Sequence, residues 1–340
     1  MLFNYLELHF LKLQLNCLSD EDLFKERLNV STLMEFILLG FSNVPQLQWV
    51  LFVIFLFMYV TILLCNSIII LLAKTDHSLQ TPMYYFLSNF SFLEICYVTA
   101  TIPRMLMDLC TLKGNISVLA CATQMYFVLM LGGTECLLLA VMAYDRYVAI
   151  CQPLQYSLLM KNTVCLQLVA ASWISGIPIQ IGQTYQIFSL PFCASNRIDH
   201  FFCDIPPLLK LACGDTFMNT VAVYVVAVGF VMVPFLLIIV SYIKIICNMM
   251  KLSSAKGMAK GFSTCSSHLI VVVLFYGTAS ITYLQPNHSQ SEGMGKILSL
   301  FYTILIPALN PIIYTLRNKD IMVALRKLHN NLLTWWGNLK

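Results

Sequence analysis

"ISVLACATQMYFVLMLGGTECLLLAVMAYDRY", residues 116–147, holds a single charged side chain, Glu135, in its first 28 residues and then sets Asp145 and Arg146 side by side. A nearly apolar run of that length exceeds the roughly 20 residues that a helix needs to cross a bilayer. The acid and base pair directly after it belongs at a water-facing end, where both charges escape the hydrocarbon. Working outward, six more stretches of the same kind appear, at about 49–73, 83–103, 164–188, 217–243, 262–284 and 297–316. Only Glu94 and Glu135 lie deep inside any of the seven. In hydrocarbon each backbone polar group must bond within its own segment, so these runs are helices and open strands are excluded from them. The composition agrees: 59% of the residues are hydrophobic and 11% charged, with a mean hydropathy of +0.78. The expected fold is an all-α membrane protein, a bundle of seven transmembrane helices. No internal repeat of the kind that marks many transporters is evident.

The basic residues orient the bundle. With the N-terminus outside, the inner segments carry Lys74, Arg146, Lys161, Lys244, Lys251, Lys256, Lys260, Arg317, Lys319, Arg326, Lys327 and Lys340, which is 12. The outer segments carry 8, of which Lys12, Lys25 and Arg27 lie too far from the first span to count, leaving 12 against 5. A cytoplasmic C-terminus is therefore expected. The net charge of +4 reads as a topology signal, with no nucleic-acid patch. Residues 1–48 then form an extracellular tail, 49–316 the membrane domain and 317–340 a cytoplasmic tail. In that last part Ile321, Leu325 and Leu328 share a face while Lys319, Arg326 and Lys327 can meet lipid phosphates, as a short amphipathic helix at the interface requires. Residues 1–28 show no clear cleavage site for a signal peptide. Of the 13 cysteines, Cys121, Cys193, Cys203 and Cys213 face outward and permit three pairings. Cys17 and Cys110 are outer leftovers, and the other seven lie in spans or face the cytosol. "HFFCD", residues 200–204, could suggest a metal site, but the expected disulfide of Cys203 argues against it, and no metal is expected. Among the sequons, Asn29 is the best candidate for glycosylation.

Seven spans, a cysteine 25 residues before Arg146 and "NPIIY" in the last span together resemble the rhodopsin-like G-protein-coupled receptors. "TPMYYFLSNFSFLE", "MAYDRYVAICQPLQY", "KGFSTCSSHLIVVVLFYGT" and "PALNPIIYTLRNKD" resemble, more narrowly, the vertebrate olfactory receptors of the tetrapod class, from about Asn29 to Leu328. Relatives usually begin just before "LMEFILLGF", so 1–28 reads as an atypical extension, and the usual aspartate of span two is here Glu94. The resemblance implies that Cys121 pairs with Cys203 and Cys193 with Cys213. It also implies that Asp145 restrains Arg146 at rest, and that Arg146, with its fixed fork of donors, turns on activation to meet a G-protein α subunit. Tyr147 belongs to the same motif. Tyr242 and Tyr314 would hold the open state, beside Asn310 and Pro311, where the helix can bend.

The ligand belongs in the outer half. Counted from Arg146, Val128, Leu129, Gly132, Gly133 and Cys136 share a face of span three. Tyr276, Ala279, Ser280 and Tyr283 do so on span six, and Val223, Val226, Ala227 and Phe230 form an apolar wall on span five. By resemblance these are the ligand-binding residues. Val128 stands where amine receptors place an aspartate, and "FYGT" replaces the usual tryptophan and proline of span six, so the expected ligand is a small, volatile, largely apolar odorant with one polar group for Tyr283 or Ser280. The implied function is an odorant receptor of the plasma membrane that activates an olfactory-type stimulatory G protein and raises cyclic AMP, without being an enzyme. The alternatives are a rhodopsin-like receptor for another small ligand outside the nose and, less favoured, a transporter or channel. No cofactor is expected, save that Glu94 and Glu135 can share a sodium ion or a proton at mid-membrane.

Overall fold

Each of the seven apolar runs is helical in the computed structural model, which describes residues 35–41, 45–111, 114–192, 195–251, 255–284, 292–316 and 318–338. We number the long helices α1 (Gln48–Thr75), α2 (Pro82–Thr111), α3 (Val118–Cys151), α4 (Asn162–Phe188), α5 (Phe217–Met250), α6 (Ala255–Leu284) and α7. Helix α7 runs through Glu292–Leu300, a π turn at Phe301–Leu305 and Ile306–Leu316, and α8 (Lys319–Asn338) comes after it. Helices α1, α3, α4, α5 and the Gly295–Thr315 part of α7 are long and apolar enough to cross a membrane. Helix α2 instead buries Ser91, Glu94 and Thr101, polar groups that only the inside of a bundle can accommodate.

Helix α3 is the axis. From Cys121 to Val148 its side chains are buried on several faces, against α2, α4 and α5. Helices α1, α4 and α5 bury one stripe and turn large apolar groups outward: Phe57 is 71% exposed, Ile174 63% and Val225 66%. In water such patches would aggregate; here they form the face that meets lipid. On α4 the buried positions Cys165, Val169, Ser172, Gly176, Gln180, Gln183 and Ile187 keep the three- and four-residue spacing of one helical face. Helix α5 also contains a π turn, at Val228–Met232.

Strands do occur, but outside the apolar runs. β1 (Glu35–Leu38) pairs antiparallel with β2 (Asn115–Ser117) and parallel with β3 (Arg197–Ile198). An extended backbone is tolerated there because its edges can find water. Gly114 leads into β2 where a Cβ would stand 2.0 Å from the Leu38 carbonyl oxygen, so the approach of the two strands excludes a side chain. This sheet carries a second apolar core, in which Phe36, Ile116, Met125, Ile198 and Ile205 pack around Cys121 and Cys203. Those two cysteines form the expected disulfide, with Cα atoms 5.4 Å apart. Gln124 ties the same point to α2: its Nε2 donates to the Ala100 carbonyl at 3.1 Å, and its Oε1 accepts from the Cys203 amide at 3.1 Å.

At the cytoplasmic end, Asn318 caps α8 through Oδ1, which accepts from the amides of Asp320 and Ile321. Ile321 is buried, and Leu325 and Leu328 pack on the bundle, so the face expected on this helix is the one that docks. Asn29, Cys17 and the 1–28 segment lie outside the described residues.

Candidate functional site

The packing of α2, α3, α4, α5, α6 and α7 leaves a cavity of about 90 Å³. Val128, Leu129, Gly132, Gly133 and Cys136 of α3 all border it, as do Val223, Val226, Ala227 and Phe230 of α5 and Ala279 of α6. Three expected residues stand differently. Tyr276 is 1% exposed but does not border the cavity; its hydroxyl donates to the Cys136 carbonyl at 2.8 Å and its ring stacks on Phe235 at 5.0 Å. Ser280 also lies off the lining, because one residue beyond Ala279 is a turn of about 100° around the helix. The side chain of Tyr283 lies outside the described residues.

Sequence reasoning missed seven lining residues: Tyr97, Gln180, Gln183, Ile205, Val231, Phe275 and Tyr302. A signal for two of them was present, since Gln180 and Gln183 are polar residues on the buried stripe of an otherwise apolar span. Ile205 and Tyr302 carried none, because a loop places one and a π turn the other. The loop between α4 and α5 roofs the cavity and is fastened to α7 twice. Tyr302 donates its hydroxyl to Asp204 Oδ2 at 3.0 Å, and Lys296 forms an ion pair with Asp199. Within this roof His200 is buried, with Nδ1 3.1 Å from the Phe202 carbonyl. Burial holds its imidazole pKa down to about 4, with a further push from Lys296.

Deeper in, Glu94, Glu135 and Asn310 are 0%, 3% and 1% exposed, and the two carboxyl groups interact electrostatically. Asn310 donates through Nδ2 to Glu94 Oε1. Glu94 Oε2, Glu135 Oε1 and Asn310 Oδ1 are buried without a hydrogen-bond partner among the described residues. Three unsatisfied hard oxygens, two from carboxyl groups, are a donor set that fits a sodium ion or a shared proton.

At the cytoplasmic end of α3, Asp145 accepts a hydrogen bond from the Tyr156 hydroxyl at 2.9 Å. The charge of Arg146 also acts on this carboxyl group. Arg146 is buried, 7% exposed, and its charge acts on Tyr242, Tyr314 and His268. Tyr242 Oη lies 2.7 Å from His268 Nδ1. Tyr314 and Pro311 are buried nearby in sequence on α7, and Lys244 sits 5.4 Å over the ring of Tyr147. Cys213 is disulfide-bonded, and its expected partner Cys193 lies outside the described residues.

Comparison with known proteins bears on the family. The family profile described as "Olfactory receptor" matches residues 55–331. The chain is 71% identical to human Olfactory receptor 10AG1 over 301 residues, which is 88% of this chain and 100% of that one. It is 50% identical to human Olfactory receptor 10A7, covering 88% and 95% of the two chains. It is also 50% identical to human Olfactory receptor 10A3, covering 89% and 96%.

Proposed function

Because the chain belongs to the olfactory receptor family, and so is a multi-pass odorant receptor of the plasma membrane and not an enzyme, we propose that the cavity between α3, α4, α5 and α6 takes up the odorant. The observation that carries this reading is the lining itself. Ten of the thirteen residues expected from sequence border one mostly apolar space, with Val128 where a charge would be needed to hold an amine. A small, volatile, largely apolar ligand suits it. Contact without charge pairing gives modest affinity and broad tuning.

The cytoplasmic cluster of Arg146, Tyr147, Tyr242 and Tyr314 is the coupling face. Ligand binding frees Arg146 to meet a stimulatory G protein of the olfactory type, which raises cyclic AMP. The three unsatisfied oxygens of Glu94, Glu135 and Asn310 would hold a sodium ion or a shared proton at rest, which supplies the charge compensation that two buried carboxyl groups require. Lipid phosphates meet Arg326 and Lys327 on α8.

The test is a cyclic AMP reporter in cells whose surface receptor is labelled, screened against a panel of volatiles. A concentration-dependent response is expected. Arg146→Ala should abolish it at unchanged surface level, because the residue sits at the coupling end of α3. A response of wild-type size from that variant at equal surface level would overturn the assignment.

A further inference from the structure

The cavity is mostly apolar, and α4 brings two carboxamides to it. Gln180 and Gln183 border it less than one turn apart and are 3% and 5% exposed. Gln180 Oε1 is buried with no hydrogen-bond partner among the described residues. A carboxamide left unsatisfied in an apolar interior is costly, and leucine of similar volume would remove that cost. Among the described lining residues only the Gln180 oxygen is a buried side-chain acceptor without a partner, while Tyr97 brings a hydroxyl from α2. The Tyr302 hydroxyl is already given to Asp204, and Ser280 does not border the space. No Lys, Arg, Asp or Glu is among the described residues that line it.

We propose that Gln180 is the polar anchor of the ligand site and that it selects small apolar molecules bearing a hydroxyl over ethers, aldehydes and carboxylates of the same skeleton. The inference rests on reading this cavity as the odorant site and names the ligand class it takes. A hydroxyl donates to Oε1 and at the same time accepts from a carboxamide N–H of Gln180 or Gln183, so it completes the pair whichever way the amide lies. An ether or aldehyde accepts but cannot donate, and leaves Oε1 as it is. A carboxylate brings a charge into a lining without a cation, which is costlier still. The polar contact therefore sits on α4, opposite the position on α6 to which sequence reasoning assigned it.

The experiment compares matched series in the cyclic AMP reporter: hexanol, hexanal, hexyl methyl ether and hexanoate; cyclohexanol and methoxycyclohexane; phenol, benzaldehyde, anisole and benzoate. Within a skeleton that activates, the hydroxyl compound should act at a concentration about tenfold or more below its ether and aldehyde. Gln180→Leu and Gln180→Met, at matched surface level, should erase that ratio by weakening the alcohol while leaving the ether equal or better. An aldehyde or ether as potent as its alcohol would overturn the anchor and leave the odorant reading standing. So would a variant that lowers alcohol and ether alike, since that is how a merely structural glutamine behaves. Silence of the surface-labelled receptor to these series and to every other volatile tested would overturn the odorant reading and this inference with it.

Discussion

Gly132 and Gly133 adjoin each other on the cavity wall, yet space treats them differently. A Cβ on Gly133 would stand 3.0 Å from Phe230 Cδ1, whereas one on Gly132 would meet nothing within 4 Å. Gly133→Ala should therefore push the Phe230 ring into the cavity and raise the odorant concentration for half response about tenfold, in line with about 1–3 kcal/mol for overpacking. Gly132→Ala should shift it by less than about threefold. Alanine favours a helix over glycine by about 1 kcal/mol, so neither should lose surface expression through α3 itself. Equal potency of the two variants would remove Phe230 as the wall that matters. At this scale the α3 stripe was legible because one fixed point, Arg146, sets the angular position of every residue above it. Helix α4 had no such anchor, and its glutamines passed unread although the spacing of Ser172, Gly176 and Gln180 already placed them inward. Tyr276 was read as a ligand contact because periodicity gives the side a residue faces and says nothing of whether its hydroxyl is already spent, here on Cys136.

The elements that sequence reasoning could not see are the short and the irregular. β1, β2 and β3 have four, three and two residues, too few for alternation to show. The π turns at Val228–Met232 and Phe301–Leu305 shift the angular register of the residues beyond them, and they carry Phe230, Val231 and Tyr302 to the cavity, a place where such bulges are often found. The roof loop carries two predictions. His200 is held neutral by burial, with its pKa lowered to about 4 from an ordinary 6.5. Above about pH 6.5 neither the closed nor the opened roof protonates it. As the pH falls from there toward about 4, the opened roof binds a proton that the closed one does not, so stability is lost through that window, by up to about 3 kcal/mol. Asp199 and Lys296 are the charged neighbours. Purified receptor should unfold at a lower temperature at about pH 5 than at about pH 7, and His200→Gln should flatten the difference; an unchanged pH dependence in the variant would assign it to other groups. The second prediction is that Cys213 pairs with Cys193. The Cys213 amide donates to the Pro191 carbonyl at 2.8 Å, and Phe192 bridges to Ala212, which sets the two chain segments side by side. Non-reducing peptide mapping should recover one peptide pair holding Cys193 and Cys213, and Cys193 joined to any other cysteine would refute it.

Over the whole molecule the seven-helix fold was legible because the bilayer permits so little else: seven long apolar runs leave one class of solution, and the basic residues orient it. The same constraint isolates the place where the sequence departs from it, the two acids deep in the spans. Glu94 comes from α2, Glu135 from α3 and Asn310 from α7, so three helices meet at oxygens that lack partners among the described residues. Two bare carboxylates at that depth would be very costly, and the cation or proton proposed above would offset that cost where the three helices meet. Asn310 adjoins Pro311 and lies one turn above Tyr314 on α7, while Glu135 lies three turns above Arg146 on α3. A change at the acids would therefore reach the proposed coupling face along α3 and along α7, whose Pro311 lies between Asn310 and Tyr314. If the site favours the resting state, moving the helices apart should release the cation or the proton, and the reverse holds by linkage: sodium or acid should lower basal signalling. Basal cyclic AMP should accordingly fall with rising sodium or falling external pH in the wild type. Glu94→Gln and Glu135→Gln should each change the basal level and weaken that dependence, while Asn310→Ala removes one oxygen and should weaken the sodium effect more than the pH effect. Surface labelling separates these outcomes from loss of receptor. Wild-type basal activity in both glutamine variants, with the sodium and pH responses intact, would leave the acids a packing role alone.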